Sequence, residues 1–383
     1  MRASVFEGSI VPGGGGPRRS GDFMAVYAEP LYSREQVNRA GADLRNIATD
    51  PARDYSESFR IVDNFRVAHQ FPLNTFYMTL RNRAFKVASA ALVSQRTKRL
   101  PSILQKLLDR PSMKLSQMQD IAGCRAVVPK LEDAYELRDH YLNKPLVHPF
   151  AGVGPLLLQP GTAPPGAERD YILEPADTGY RSIHLKFRFN GGTRSAAYTG
   201  LKVEMQIRTL LQHQWATAVE TAGTFTKVAL KSNKGQPHWL RFFALMGSML
   251  AIKEGTPVGP DMPNSVEEIR EELRHLNRTH YIIAAFENFK AVIPSIEQQR
   301  NAFYYLIELD PRAPSVKVIG FTKQELITAH AAYSNLEKSH SQDDDPTQVV
   351  LVSVKGVAAL RRAYPSYFLD TVAFIEEVRE VIA

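Results

Sequence analysis

Two short segments alternate strictly between apolar and polar residues, and their polar halves are of a kind that handles phosphate. Over residues 182–189 (SIHLKFRF), the period of two imposed by an extended strand puts Ile183, Leu185, Phe187 and Phe189 on one side. His184, Lys186 and Arg188 fall on the other. Residues 202–208 (KVEMQIR) repeat the split, with Val203, Met205 and Ile207 opposite Lys202, Glu204, Gln206 and Arg208. Paired side by side, two such strands would give one sheet face a carboxylate, an amide, an imidazole and several cations. Cations compensate phosphate charge, and a lone carboxylate among them can hold Mg²⁺ or take the proton of an attacking hydroxyl. A solvated sheet face shows the same alternation, so the pattern alone leaves both readings open.

Such strands need elements to hold them. Apolar residues recur at helical spacing over residues 33–86, and Pro72 and Asn74 mark a helix start before Phe76, Leu80 and Phe85. Residues 123–128, 171–173, 184–189 and 201–207 are short runs rich in β-branched or aromatic residues with turn formers between them, which predicts strands. Residues 145–168 hold six prolines and four glycines, too many for a helix or a central strand, so a loop is expected there. After Thr209 the pattern is helical again. Pro257, Pro260 and Pro263 mark a boundary, and Ser265 with Glu268 three residues on opens a helical stretch reaching about Gln299. Strands at 303–309, 316–319 and 349–354, a helix at 323–336, an acidic turn at 343–346 and a helix at 368–382 then form a small unit of their own. The glycine- and proline-rich residues 11–22 carry no periodicity and read as disordered. The expected division is a disordered leader over 1–22, a main domain over 23–255, connecting helices over 256–300 and a C-terminal domain over 301–383.

The chain has 383 residues, 44% of them hydrophobic, enough to bury a sizeable core in two domains. No apolar run reaches the ~18 to 20 residues of a membrane helix, and the first residues lack the apolar stretch of a secretory signal, so a cytoplasmic protein with no membrane partner is expected. The single cysteine, Cys124, excludes an intramolecular disulfide and a cysteine-rich zinc site, and reads as a small buried hydrophobe. An excess of 47 basic over 40 acidic residues, net +7, favours polyanionic partners such as nucleotides or RNA. There is no internal repeat.

Four segments stand in a familiar order: Arg96-Thr97-Lys98 with Ser102-Ile103 and Lys106; Asp120-Ile121-Ala122-Gly123-Cys124-Arg125; Gly179-Tyr180-Arg181-Ser182-Ile183-His184; and Glu204-Met205-Gln206-Ile207-Arg208-Thr209. Together they resemble the ATP-binding segment and the three successive signatures of RelA/SpoT synthetase domains. The resemblance covers roughly residues 23–255. It implies an α/β (α+β) nucleotidyltransferase-like fold, a mixed sheet flanked by helices, and an enzyme that transfers pyrophosphate from ATP with Mg²⁺. By the same resemblance Arg96 and Arg125 sandwich the adenine, and Lys98, Ser102 and Lys106 contact the triphosphate. Asp120 and Glu204 hold the metal, Glu204 also takes the acceptor's proton, and His184 sits near the phosphates. Tyr180 stacks on the acceptor base, with Arg169, Gln206 and Arg208 on the acceptor side. Outside the motifs, an aspartate before a strand is commonly a turn residue, a strand histidine is commonly structural, and Tyr180 could equally be core or rim. No His-Asp metal pattern precedes the synthetase segment, so the hydrolase half of long family members is not expected. One departure concerns the acceptor. Members using GTP or GDP usually carry a lysine four residues before the stacking tyrosine, where this chain has Ala176, which puts a guanosine nucleotide in doubt.

Near the other end, Arg361-Arg362-Ala363-Tyr364-Pro365-Ser366-Tyr367-Phe368 before an amphipathic helix resembles the Tyr-x-x-Tyr element of the CapRel family, a toxic synthetase fused to its own antitoxin. This implies an antitoxin-like, pseudo-zinc-finger-like regulatory domain that binds no zinc, since clustered Cys and His are missing. It further implies that Tyr364 and Tyr367 cover the adenine site, that the acceptor is the 3′ CCA end of tRNA, and that a phage capsid protein is the trigger. Two tyrosines three apart are also ordinary core or rim aromatics. The resulting expectation is an autoinhibited, phage-triggered pyrophosphokinase that blocks translation. The alternatives are a (p)ppGpp synthetase acting on GDP or GTP, and a non-enzymatic RNA-binding module, against which the Asp120 and Glu204 pair speaks.

Overall fold

The computed structural model describes residues 27–143, 148, 166–225, 236–297, 302–310, 312, 316–340, 347–353 and 367–383. The expected leader, most of the 145–168 loop and the acidic turn at 343–346 lie outside the described residues. Three helices lead: α1 (Arg34–Asp43), α2 (Ser56–Ala68) and α3 (Gln70–Val87). Ser33 starts α1 with a capping box, its hydroxyl accepting from the Gln36 amide at 3.3 Å while the Gln36 side chain accepts from the Ser33 amide at 2.9 Å. Helix α3 begins at Gln70, slightly before the predicted start, because a first turn has no use for the amide that Pro72 lacks.

The sheet and its helices follow as β1 (Leu92–Thr97), α4 (Leu100–Asp109), β2 (Ala122–Val128), α5 (Leu131–Leu142), β3 (Glu168–Asp170), β4 (Ile183–Arg188), β5 (Lys202–Thr209) and α6 (Leu210–Phe225). The strand order is β1-β2-β5-β4-β3, with β2 and β5 parallel and the other pairs antiparallel. This is the mixed, helix-flanked α/β architecture that the sequence predicts. Strands β4 and β5 pair with His184 opposite Gln206 and Lys186 opposite Glu204, so their polar faces coincide. On the reverse face Ile183, Leu185, Phe187, Val203, Met205 and Ile207 are buried against Leu73, Phe76 and Leu80 of α3 and Leu137 and Tyr141 of α5. Each such side chain contributes about 1.5–3 kcal/mol, and a slip of one residue would turn the polar set into that core, so burial fixes the register.

One expectation needs correction. Residues 171–173 are a turn, not a strand. The Asp170 carboxylate accepts from the amides of Ile172 (2.8 Å) and Leu173 (3.2 Å), and its carbonyl accepts from Glu174, which offers the backbone a local alternative to the ladder. The expected connecting helices are α8 (Val266–His280) and α9 (Ile282–Glu297), parted at Tyr281, which is left-handed at φ 52°.

The remaining elements are α7 (Pro237–Lys253), β6 (Tyr304–Leu309), β7 (Val316–Phe321), α10 (Leu326–Ser339), β8 (Gln348–Ser353) and α11 (Tyr367–Ile382). Strands β7-β6-β8 form a second, antiparallel sheet. A second core joins α6, α7, α8, α9, β6 and α11, through Trp215, Phe242, Phe243, Phe286, Phe289 and Phe374 among others. Among the described residues, no helix is long and apolar enough to cross a membrane.

Candidate active site

Register carries the polar residues into two rows across the first sheet. Ser94, Arg125, Gln206, His184 and Arg169 align over all five strands, and Arg96, Gly123, Glu204 and Lys186 form the adjacent row. All nine line a cleft of about 480 Å³. Gly123, beside Glu204 in the second row, has no side chain to fill the space there. Seven cations (Arg96, Lys106, Arg110, Arg125, Arg169, Lys186 and Arg208) stand against two carboxylates, Asp120 and Glu204, which suits a ligand with several phosphate charges.

The two carboxylates are held differently. Asp120 lies just before β2, where Lys98 Nζ and Lys106 Nζ each donate to one of its oxygens at 2.8 Å. Burial pushes its carboxyl up, but the two ammonium groups outweigh this and hold it down at about 2. Glu204 accepts from Gln206 Nε2 at 2.9 Å and faces His184 Nδ1 at 3.2 Å. Burial again pushes upward, but the His184 contact prevails and keeps Glu204 below the usual carboxylate range, hence ionised.

His184 also reaches Tyr180, whose hydroxyl lies 2.9 Å from Nε2. An imidazole accepting from the phenol at Nε2 donates from Nδ1 to Glu204, so the three form one chain. Burial pushes the Tyr180 phenol up, which keeps it a donor. Tyr171, His184 and Trp215 surround its ring. Helix α7 presses on the same loop. Gly179 sits at φ 84°, and a Cβ there would meet the Phe243 carbonyl at 2.8 Å, which excludes larger residues. The Trp215 indole donates to that carbonyl at 2.9 Å, and buried Arg181 donates to Gly247 and Ile172 carbonyls at 3.2 Å.

Of the expected site residues, Arg96, Lys106, Asp120, Arg125, Arg169, Tyr180, His184, Glu204, Gln206 and Arg208 converge on the cleft. Lys98 reaches it only through Asp120. Ser102 is exposed on α4 and is not among the lining residues. Arg208 is 3% exposed, and its Nε has no hydrogen-bond partner among the described residues. Arg169 pairs with Glu174 at 2.8 Å and lies over the Tyr171 ring. Tyr364 lies outside the described residues, and Tyr367 begins α11. Sequence reasoning missed Tyr171, Trp215 and Phe243 as lining residues, and Glu220 of α6 behind them. For Glu220 a signal existed, as the one charged residue among residues 215–222.

Among the described residues, no three or more His, Cys, Asp or Glu side chains are grouped to hold a metal. Mg²⁺ does not need such a cage, because it is commonly held by one or two carboxylates together with substrate phosphates. Two ionised carboxylates on one cationic cleft fit that mode.

The family model for the region found in RelA / SpoT proteins matches residues 95–227. Over this segment the chain is similar to RelA/SpoT proteins. The matched segment spans both rows except Ser94 at its edge. An uncharacterized protein of Mycobacterium tuberculosis is 28% identical over 204 residues, 52% of this chain and 61% of that protein. GTP pyrophosphokinase YjbM of Bacillus subtilis is 33% identical over 127 residues, 33% of this chain and 52% of that protein. The chain thus spans about three fifths of the first relative and half of the second. Small alarmone synthetase 1 from Bacillus subtilis superposes with a TM-score of 0.39 at 22% identity, covering 56% of this chain and 97% of that one.

Proposed function

We propose that the chain is an ATP-dependent pyrophosphokinase whose acceptor is the 3′ hydroxyl of the tRNA CCA end. The two-row sheet face carries this reading: an ionised carboxylate bonded to an imidazole, flanked by cations on both sides. Glu204 takes the acceptor's proton as its oxygen attacks the β-phosphorus of ATP. The new O–Pβ bond forms, the bond from Pβ to the bridging α-β oxygen breaks, and AMP leaves. Lys98 and Lys106 offset the charge moving between phosphates, and Arg96 with Arg125 takes the adenine. Mg²⁺, held by Asp120 and Glu204, would supply further charge neutralisation on the transferred group.

Ala176 supports tRNA over a guanosine nucleotide. It occupies a tight turn in which its carbonyl accepts from the Gly179 amide at 2.8 Å, and it offers no cation where a lysine would grip acceptor phosphates. GDP or GTP, giving (p)ppGpp, is the second reading, favoured by the similarity to a protein named a GTP pyrophosphokinase. The C-terminal part would act as the antitoxin, with Tyr364 and Tyr367 covering the adenine site until a phage capsid protein binds, in a cytoplasmic defence role. Incubation with γ-labelled ATP and tRNA, GDP or GTP tests the acceptor. Label on tRNA is expected, label only on a guanosine nucleotide establishes the second reading, and label on none of them refutes both.

A further inference from the structure

Helix α6 runs beside the cleft and contributes Trp215 and Val219 to its lining. The next residue, Glu220, is a half-buried carboxylate in a helix whose Ala216, Ala218, Val219 and Ala222 are buried. It hydrogen-bonds Arg125 and feels the charges of Arg96, Arg125 and Arg99. Arg125 is held from the other side as well, its Nε donating to Ser94 Oγ at 3.4 Å. Its guanidinium is therefore fixed between β1 and α6.

Arg96 follows Ser94 by two residues, and Ser94 is directly opposite Arg125, so Arg96 and Arg125 are diagonal neighbours on the cleft face. Diagonal neighbours leave their strands roughly 7–8 Å apart, about twice the ~3.5 Å of a van der Waals contact, so two guanidiniums extended in parallel from them would leave room for one planar ring. Two guanidiniums on neighbouring positions of one cleft face repel. The cleft carboxylates are engaged elsewhere, Asp120 by Lys98 and Lys106, Glu204 by His184 and Gln206.

We propose that Glu220 is the positioning residue of the arginine pair: its carboxylate sets the plane of Arg125 and offsets the repulsion from Arg96, keeping the slot between them open for a purine. This rests on the pyrophosphokinase reading, in which the purine is the adenine of ATP. Burial pushes the Glu220 carboxyl up to about 7, against the pull of the three arginines, so its charge changes across the neutral range. Arg96 from β1, Arg125 from β2 and Arg99 after β1 are the charged groups acting on it, and arginines stay protonated there.

The test is equilibrium binding of a non-hydrolysable ATP analogue to the full chain without acceptor, between pH 6 and 8, for the parent, Glu220→Gln and Glu220→Ala, with steady-state kinetics alongside. Glu220→Ala is expected to raise the KM for ATP about 2- to 30-fold, the value of lost stacking order, with kcat at saturating ATP and the acceptor KM unchanged. The ratio of parent to Glu220→Gln affinity should fall toward one as pH drops through 7, because protonated Glu220 resembles glutamine. Using the ratio cancels the titration of ATP itself. Glu220→Gln keeps size and hydrogen bonding, so it decides the matter if the alanine variant fails to melt cooperatively. A pH-independent ratio, equal affinities, or a fall in kcat at constant ATP KM overturns the proposal. A parent that does not bind the analogue overturns the pyrophosphokinase reading instead.

Discussion

Tyr180→Phe removes one oxygen and separates two roles of the residue. The ring lines the cleft, where it can stack on an acceptor base, while the hydroxyl sits 2.9 Å from His184 Nε2 and His184 Nδ1 sits 3.2 Å from Glu204. Without the hydroxyl, Nε2 loses its partner, and among the described residues no other hydrogen bond fixes which nitrogen faces Glu204. A hydrogen bond of this kind contributes about 0.5–1.5 kcal/mol net. Turnover should therefore fall about 2- to 13-fold, with the acceptor KM within about twofold of the parent because the ring remains. Tyr180→Ala also removes the ring, and its acceptor affinity should drop by a further ~1–3 kcal/mol. Initial rates of label transfer at saturating ATP and varied acceptor measure both. Parent-like kcat in Tyr180→Phe would show that the Tyr180–His184–Glu204 chain plays no part in turnover. An unchanged acceptor KM in Tyr180→Ala would show that the ring only packs against Tyr171 and Trp215.

Glu204→Gln should lower the transfer rate by at least ~10² to 10⁴ with an unaltered melting transition, since it removes the proton acceptor but keeps size and hydrogen bonding; parent-like activity refutes its role. Asp120 is held down at about 2 in the folded chain, so its stabilisation is fully present above the ordinary carboxylate range near 4 and is lost as pH falls through 2. That contribution is on the order of 2 kcal/mol, and melting of the parent and Asp120→Asn from pH 5 to 2 should converge; a constant difference in Tm contradicts the lysine clamp. Phe374→Ala should destabilise by about 3–5 kcal/mol in urea unfolding, because Phe374 is fully buried and stacks at 6.1 Å on Phe243, and a loss below about 1 kcal/mol refutes that packing.

Alternation made the site face legible, because a strand fixes the two sides of its own residues whatever lies next to it. His184, Lys186, Glu204 and Gln206 could be placed together for that reason. The flanking strand β1 could not: it is an edge strand with no buried face, and its sequence LVSQRT carries no period to detect. Tyr171 was missed because Tyr171-Ile172-Leu173 reads as a strand while Asp170 closes a turn. Trp215 and Phe243 were illegible for another reason, since helical apolar residues facing a cleft and facing a core share the same spacing. Ser102 matches a motif in spacing and stands exposed on α4, outside the lining.

The C-terminal helix shows the same limit and constrains the proposed regulation. Its amphipathic pattern was plain in the sequence, but not the partner of its apolar face. That partner is the core around α6 and α7, where Phe374, Ile375 and Val378 are at most 1% exposed. Exposing them would cost about 1.5–3 kcal/mol for each side chain, several kilocalories together. A partner can shift an equilibrium by no more than its differential affinity for the two states. Under the proposed regulation, an opening that uncovers the arginine pair must therefore leave α11 docked, or the partner must cover the apolar face that α11 vacates.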